Sequence, residues 1–239
     1  VNLRRLLSIL FFLFLSVSIS LASDKPVQVL MYHHILDVGK GCRRATKDLC
    51  CPPDIFKDHL NYLLSSGYRT ITFKDAMLGI IPPKSIILSF DDGCFSHWYA
   101  FQKLSEHKMV GVFFVISGSV GKRKYLTIDQ LKSMSKGGME IGSHTGTHPY
   151  LTKISQERLS KEILGSKTKL EDLLGTRVIS FAYPYGKYNK KAMEEVENSG
   201  YYYARTTNEG VSEFGREKNF ELKVVYIHNY TTDLGKVLK

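Results

Sequence analysis

The chain has 239 residues, 43% hydrophobic and 23% charged, which suits one globular domain with a sizeable core and excludes a disordered or low-complexity protein. Its formal net charge is +10, but the lysines are scattered and no aromatic-basic motif accompanies them. The charge therefore reads as a solvated basic surface, open to anionic cell-wall polymers, and not as a nucleic-acid interface.

In chain order, Arg4 and Arg5 precede the apolar run Leu6 to Leu21, and Ser20-Leu21-Ala22 supplies small residues for cleavage. Residues 1–22 read as a secretory signal peptide and residues 23–239 as the mature domain, secreted or periplasmic, or membrane-anchored if the segment stays uncleaved. The run is short for a membrane span and is interrupted by Ser8, Ser16, Ser18 and Ser20. A first strand, Val27 to Tyr32, ends at His33-His34. Cys42, Cys50 and Cys51 follow, with Cys94 far downstream. In an exported chain disulfides persist and three full pairings exist, so none is assigned; Cys42 with Cys50 or Cys51 would close a short loop, leaving Cys94 free.

The stretch Asp54 to Ser66 sets Phe56, Leu60, Leu63 and Leu64 along one helical side, and Gly67 is placed to end it. Strands follow at Tyr68–Thr72, Ser85–Phe90 and Gly111–Ile116. Thr127 and Gln130 form a capping-box pattern ahead of Leu131 and Met134. After a strand at Met139–Ser143, a helix starts near Ser155, with Leu159, Ile163, Leu170, Leu173 and Leu174 facing the core and Gly175 stopping it. The remaining strands are Val178–Tyr183, Tyr201–Thr206 and Leu222–Ile227. Strands alternating with helices imply a parallel sheet, and about seven such units predict an α/β fold: a closed or nearly closed (β/α) barrel in a single domain.

The polar motifs fall directly after predicted strands: Tyr32-His33-His34, Asp91-Asp92-Gly93, His144 to His148 in SHTGTH, and Pro184-Tyr185-Gly186. In a parallel barrel those strand ends share one rim, where such folds keep their active sites. One carboxylate with two imidazoles can hold a divalent metal, and a spare carboxylate beside them can activate water, which points to metal-assisted hydrolysis. Consecutive strand residues face opposite ways, so Asp91 and Asp92 can serve one site only if the chain turns there, and Gly93 permits that turn. Gly146 and Pro149 argue for a shaped loop, and against a helix, around His144 and His148. His33 and His34, as neighbours at a strand end, are expected to diverge, with one of them facing the site.

These residues resemble the polysaccharide deacetylases with the NodB homology domain, carbohydrate esterase family 4, over about Gln28 to Gly210. SFDDG resembles the family's first motif, which implies Asp91 as catalytic base and Asp92 as metal ligand. SHTGTH resembles the second and implies His144 and His148 as metal ligands. FAYPYG resembles the third and implies that Pro184 and Tyr185 wall the substrate groove. The family's fold is a distorted (β/α) barrel. This chain departs from the pattern in having Ala182 where many members carry an Arg that orients the base, and in lacking both the Asp-Trp motif and the late Leu-x-His. The opening VLMYHHI resembles instead the permuted branch that includes poly-N-acetylglucosamine deacetylases, which implies His33 as general acid, with His228 of Tyr226-Ile227-His228 as the alternative.

The resemblance implies an enzyme that removes N-acetyl groups from a β-linked N-acetylglucosamine polysaccharide and releases acetate, with exopolysaccharide ahead of peptidoglycan or chitin oligomers. Asp91 would take a proton from water, the backbone N–H of Tyr185 would stabilise the oxyanion, and protonated His33 would donate to the leaving nitrogen. Zinc suits the donors, and cobalt, nickel and iron are not excluded. Trp98, Tyr150, Tyr183, Tyr185 and Tyr188 are candidates to stack on sugar rings. Two alternatives stand beside this: an acetyl-ester hydrolase on a plant polysaccharide, and a non-catalytic glycan-binding relative. The implied partner is an N-acetylglucosamine polymer, with association at the cell envelope.

Overall fold

A computed structural model describes residues 26–37, 39, 44–214 and 219–238. The predicted signal peptide at residues 1–22 and Cys42 lie outside the described residues. Strands β1 (Pro26–Tyr32), β2 (His34–Ile35) and β3 (Cys50–Cys51) precede helix α1 (Pro53–Ser65), β4 (Arg69–Thr70) and α2 (Phe73–Met77). Then follow β5 (Ser85–Phe90), α3 (His97–Glu106), β6 (Val112–Val115), α4 (Ile128–Lys136), β7 (Glu140–Ser143) and α5 (Gln156–Leu174). The chain continues through β8 (Ser180–Ala182), α6 (Lys190–Asn198), β9 (Tyr203–Glu209), β10 (Ser212–Glu213) and β11 (Leu222–Tyr226).

Seven parallel strands close on themselves in the order β1, β11, β9, β8, β7, β6, β5, with β5 pairing back onto β1 from Gln28↔Ile86 to Tyr32↔Phe90. The predicted strand Tyr68–Thr72 shrinks to Arg69–Thr70 and stands outside this ring. It pairs only with Ser85 and Ile86 at the start of β5, and β6 takes the same edge further along, at Ser89 and Phe90. Sharing one edge between two neighbours distorts the barrel there.

Period-two alternation sorts each strand into the two cores. Val27, Val29 and Met31 of β1, Ile87 of β5, Ala182 of β8 and Tyr203 of β9 belong to one buried cluster, which fills the barrel. Leu30, Tyr32, Ile86, Leu88, Phe90, Phe113 and Phe181 belong to the other, which packs under the helices. Each Val, Leu, Ile, Phe or Met among them, fully withdrawn from water, stabilises the fold by about 1.5–3 kcal/mol. Helix α1 contributes Phe56, Leu60 and Leu63 as predicted, but Leu64 is exposed and His59 takes the buried place, bonded to the Tyr32 hydroxyl and the Thr231 carbonyl. Helix α4 starts at the predicted capping box, and α5 ends at Gly175 in the left-handed conformation (φ 68°) that glycine adopts without strain.

Candidate active site and metal centre

The alternation that fills the barrel also aims the site. Continuing the inward face of β1 by two residues from Met31 reaches His33, of β5 from Ser89 reaches Asp91, and of β9 from Tyr203 reaches Arg205. All three meet at the C-terminal mouth. Asp91 is buried and ion-paired with the fully buried guanidinium of Arg205, and its other oxygen lies 3.8 Å from Nε2 of His33. Arg205 also reaches the Thr206 carbonyl and the Met31 sulfur, and it lies over the Phe114 ring at 4.9 Å. Burial lowers its pKa to about 9, so it stays cationic at neutral pH. Arg205 does from β9 what the missing Arg near Ala182 would do: it holds the Asp91 carboxylate.

At Asp92 the chain turns as predicted. Asp92 (φ 79°) and Gly93 (φ 71°) are both left-handed, which swings the second carboxylate away from the barrel axis toward the SHTGTH loop. Asp92 Oδ1 lies 3.7 Å from Nε2 of His144 and 3.7 Å from Nε2 of His148, and the two Nε2 atoms are 3.1 Å apart. Donors bound at 2.0–2.2 Å in tetrahedral array stand about 3.3 Å from one another, so this set fits a cation. His144 Nδ1 donates to the Ala182 carbonyl at 2.7 Å, which fixes the ring and leaves the Nε2 lone pair facing the site. Burial lowers the pKa of both imidazoles to about 4, keeping them neutral as ligands must be, and it pushes the Asp92 carboxyl up.

The loop between the histidines is shaped by a residue that the motif does not contain. Glu162 of α5 accepts from the Thr147 N–H at 2.7 Å and the Thr147 hydroxyl at 2.5 Å, and its own carbonyl accepts from Gly146 N–H. His148 sits at φ 61°, anchored by its N–H to the Thr145 hydroxyl.

Pro184 is buried and Tyr185 is exposed at the rim, in the left-handed region (φ 58°). Tyr185 packs edge-on against His148 (4.5 Å) and stacks on Tyr150 (4.1 Å, 13°), so Tyr185 borders the metal donors and Tyr150 extends the aromatic surface beside it. Gly186 follows at φ 65°, and a Cβ there would lie 2.0 Å from the Thr207 hydroxyl, so this turn is wedged against β9.

Both histidines at the end of β1 border the acidic pair, where one was expected to turn away. His33 faces Asp91, while His34 lies with Asp92 and Cys94. Burial and the Arg205 charge hold the His33 pKa well below its ordinary value. His228 is stacked between Tyr226 (4.2 Å) and Tyr230 (4.8 Å). Cys50 is disulfide-bonded, and Cys51 and Cys94 are buried free thiols. Trp98, Tyr183 and Tyr188 pack in or against the core under the helices, leaving Tyr150 and Tyr185 as the exposed members of the predicted aromatic set.

The sequence profile of the family described as polysaccharide deacetylase matches residues 79–204, a span that holds Asp91, Asp92, His144, His148, Pro184 and Tyr185. The chain belongs to the polysaccharide deacetylase family. The structure of BC0361, a polysaccharide deacetylase from Bacillus cereus, is 31% identical and superposes with a TM-score of 0.82 over 90% of this chain and 69% of that one. The Streptococcus pyogenes deacetylase PplD, solved in complex with acetate, is 26% identical, with a TM-score of 0.84 over 91% of this chain and all of that one. The peptidoglycan-N-acetylglucosamine deacetylase PgdA of Listeria monocytogenes is 33% identical over 115 residues, 47% of this chain but only 24% of that longer protein. Like the family, this polysaccharide deacetylase is a metal-dependent hydrolase with a divalent-metal donor set. The matched span stops one residue short of Arg205 and omits His33, so both side chains that face Asp91 lie outside it.

Proposed function

We propose that this deacetylase hydrolyses the acetamide of N-acetylglucosamine units in a β-linked polysaccharide and releases acetate. The observation that carries this is the division of labour at the acidic pair: Asp92 stands with two neutral imidazoles, and Asp91 stands apart with Arg205 and His33. PgdA, by its description, acts on the N-acetylglucosamine of peptidoglycan. The Tyr32-His33 opening favours an exopolysaccharide first.

Asp92, His144 and His148 would hold the cation, zinc before cobalt, nickel or iron. When bound, it polarises the amide carbonyl and makes water easier to deprotonate. Asp91 takes the proton of the attacking water, and Arg205 keeps that carboxylate ionised and oriented. The Tyr185 N–H donates to the developing oxyanion. His33 is held neutral, so the proton it gives to the leaving nitrogen comes from Asp91, across the 3.8 Å between Oδ2 and Nε2. Proton count closes: water loses one and the amine gains one. Tyr150 and Tyr185 offer ring faces to the sugar beside the reacting one.

Export through the segment 1–22, with action at the cell envelope, accords with the disulfide at Cys50. Acetate release from poly-β-1,6-N-acetylglucosamine, peptidoglycan, chitin oligomers and acetylated xylan tests the substrate. Release from the N-acetylglucosamine polymers is expected. Release from xylan alone, or from none of them, would overturn the proposal.

A further inference from the structure

Asp92 belongs to two groups of donors. Besides His144 and His148, its carboxylate lies within 4.8 Å of ligand atoms of both His34 and Cys94, which themselves stand within that distance of each other. The catalytic scheme uses neither residue. His34 Nδ1 is buried without a hydrogen-bond partner, and the Cys94 thiol is free and buried.

Paired backbone holds both in place. His34 lies opposite Cys50 in the β2–β3 pair, and the next N–H, of Ile35, donates to the Ser96 hydroxyl at 3.3 Å. Cys94 forms an antiparallel bridge with Tyr125, flanked by hydrogen bonds from Leu126 N–H to the Gly93 carbonyl and from Phe95 N–H to the Lys124 carbonyl. An imidazole, a thiol and a carboxylate on anchored backbone make a borderline-soft donor set, unlike the nitrogen and oxygen set across Asp92.

We propose that His34, Cys94 and Asp92 form a second divalent-cation position, beside the hydrolytic one and sharing its carboxylate, selective for a thiol-seeking ion of the zinc class. Side-chain rotation closes the donors onto the ion, and the thiol proton leaves to solvent as the metal–sulfur bond forms. Occupancy of the second position draws Asp92 away from the first, so excess zinc inhibits turnover.

Titration of the metal-free full chain with Co²⁺ tests this, because a cobalt–thiolate bond absorbs in the near ultraviolet. The parent should bind two equivalents, the second with that absorption. Cys94→Ser should keep the first equivalent and lose the absorption, and His34→Ala should weaken the second by about tenfold or more. Cys51→Ser should leave both unchanged. His148→Ala separates the two sites: it should lose the first equivalent and keep the thiolate absorption, whatever the hydrolytic assignment proves to be. Acetate release by Cys94→Ser at one equivalent of zinc should match the parent and resist inhibition by excess. Saturation of the parent at one equivalent without thiolate absorption, or absorption that survives Cys94→Ser, would overturn the second position.

Discussion

Replacing Arg205 with Met removes the counter-charge of Asp91 while roughly keeping the volume. The cost follows from where the pair sits. An exposed ion pair is worth at most about 1 kcal/mol, but Asp91 is 3% exposed and Arg205 0%, so the lone carboxylate is stranded away from water. Removing one partner from such a pair costs about 3–5 kcal/mol, a large share of a typical stability of about 5–15 kcal/mol. Urea unfolding at neutral pH should show that loss, and it should shrink as the pH is lowered and the stranded carboxylate takes a proton. Arg205→Met with Asp91→Asn should recover most of the stability and none of the activity. In the single variant, acetate release should fall by about 10²–10⁴, with the acid limb of its pH profile moved to higher pH. Equal destabilisation of the single and double variants, or a slower rate with an unmoved acid limb, would refute the assignment of Arg205 as the group that holds the base.

Burial holds His144 and His148 at about 4 against 6.5 in an open chain, so between those values the unfolded chain binds protons that the folded chain refuses. Stability therefore rises with pH through that window, and the Tm of the metal-free protein should fall steadily as pH drops from 6.5 to 4; a flat profile would contradict it. Glu162→Gln weakens the carboxylate that shapes the histidine loop, and metal affinity should fall by about 10–100-fold with the fold intact by circular dichroism; unchanged affinity would show that the loop holds its own form. Gly186→Ala places a methyl where Thr207 already stands, in a left-handed turn, and should cost at least about 1 kcal/mol while displacing Tyr185. Its signature is a raised KM with metal content unchanged, and parent-like kinetics would mean that the turn yields freely.

The meeting of Asp91, Asp92, His144 and His148 at one rim was legible because the segments that carry them follow strands whose apolar runs are plain in sequence, and because Gly93 signals the turn that separates Asp91 from Asp92. Arg205 was not read, although it lies inside the predicted strand Tyr201–Thr206. A charged residue in a strand reads as facing solvent, and only closure of the barrel turns that position inward to meet Asp91. Its signal was present in the register: Arg205 follows the inward Tyr203 by two, as His33 follows Met31 and Asp91 follows Ser89. Glu162 escaped for a different reason. On an amphipathic helix a glutamate reads as solvated, and its role depends on how α5 crosses the SHTGTH loop. Leu64 was misplaced because four apolar residues in α1 overfill a stripe that His59 shares.

Metal content and acetate release, measured together on Asp91→Asn and on His148→Ala, test most directly whether one acid works beside a cation held by its neighbour. Asp91→Asn should retain its metal and lose about 10²–10⁴ in rate, while His148→Ala should lose both metal and rate. Asp91→Asn turning over like the parent, or His148→Ala purifying with a full complement of metal, would contradict the account.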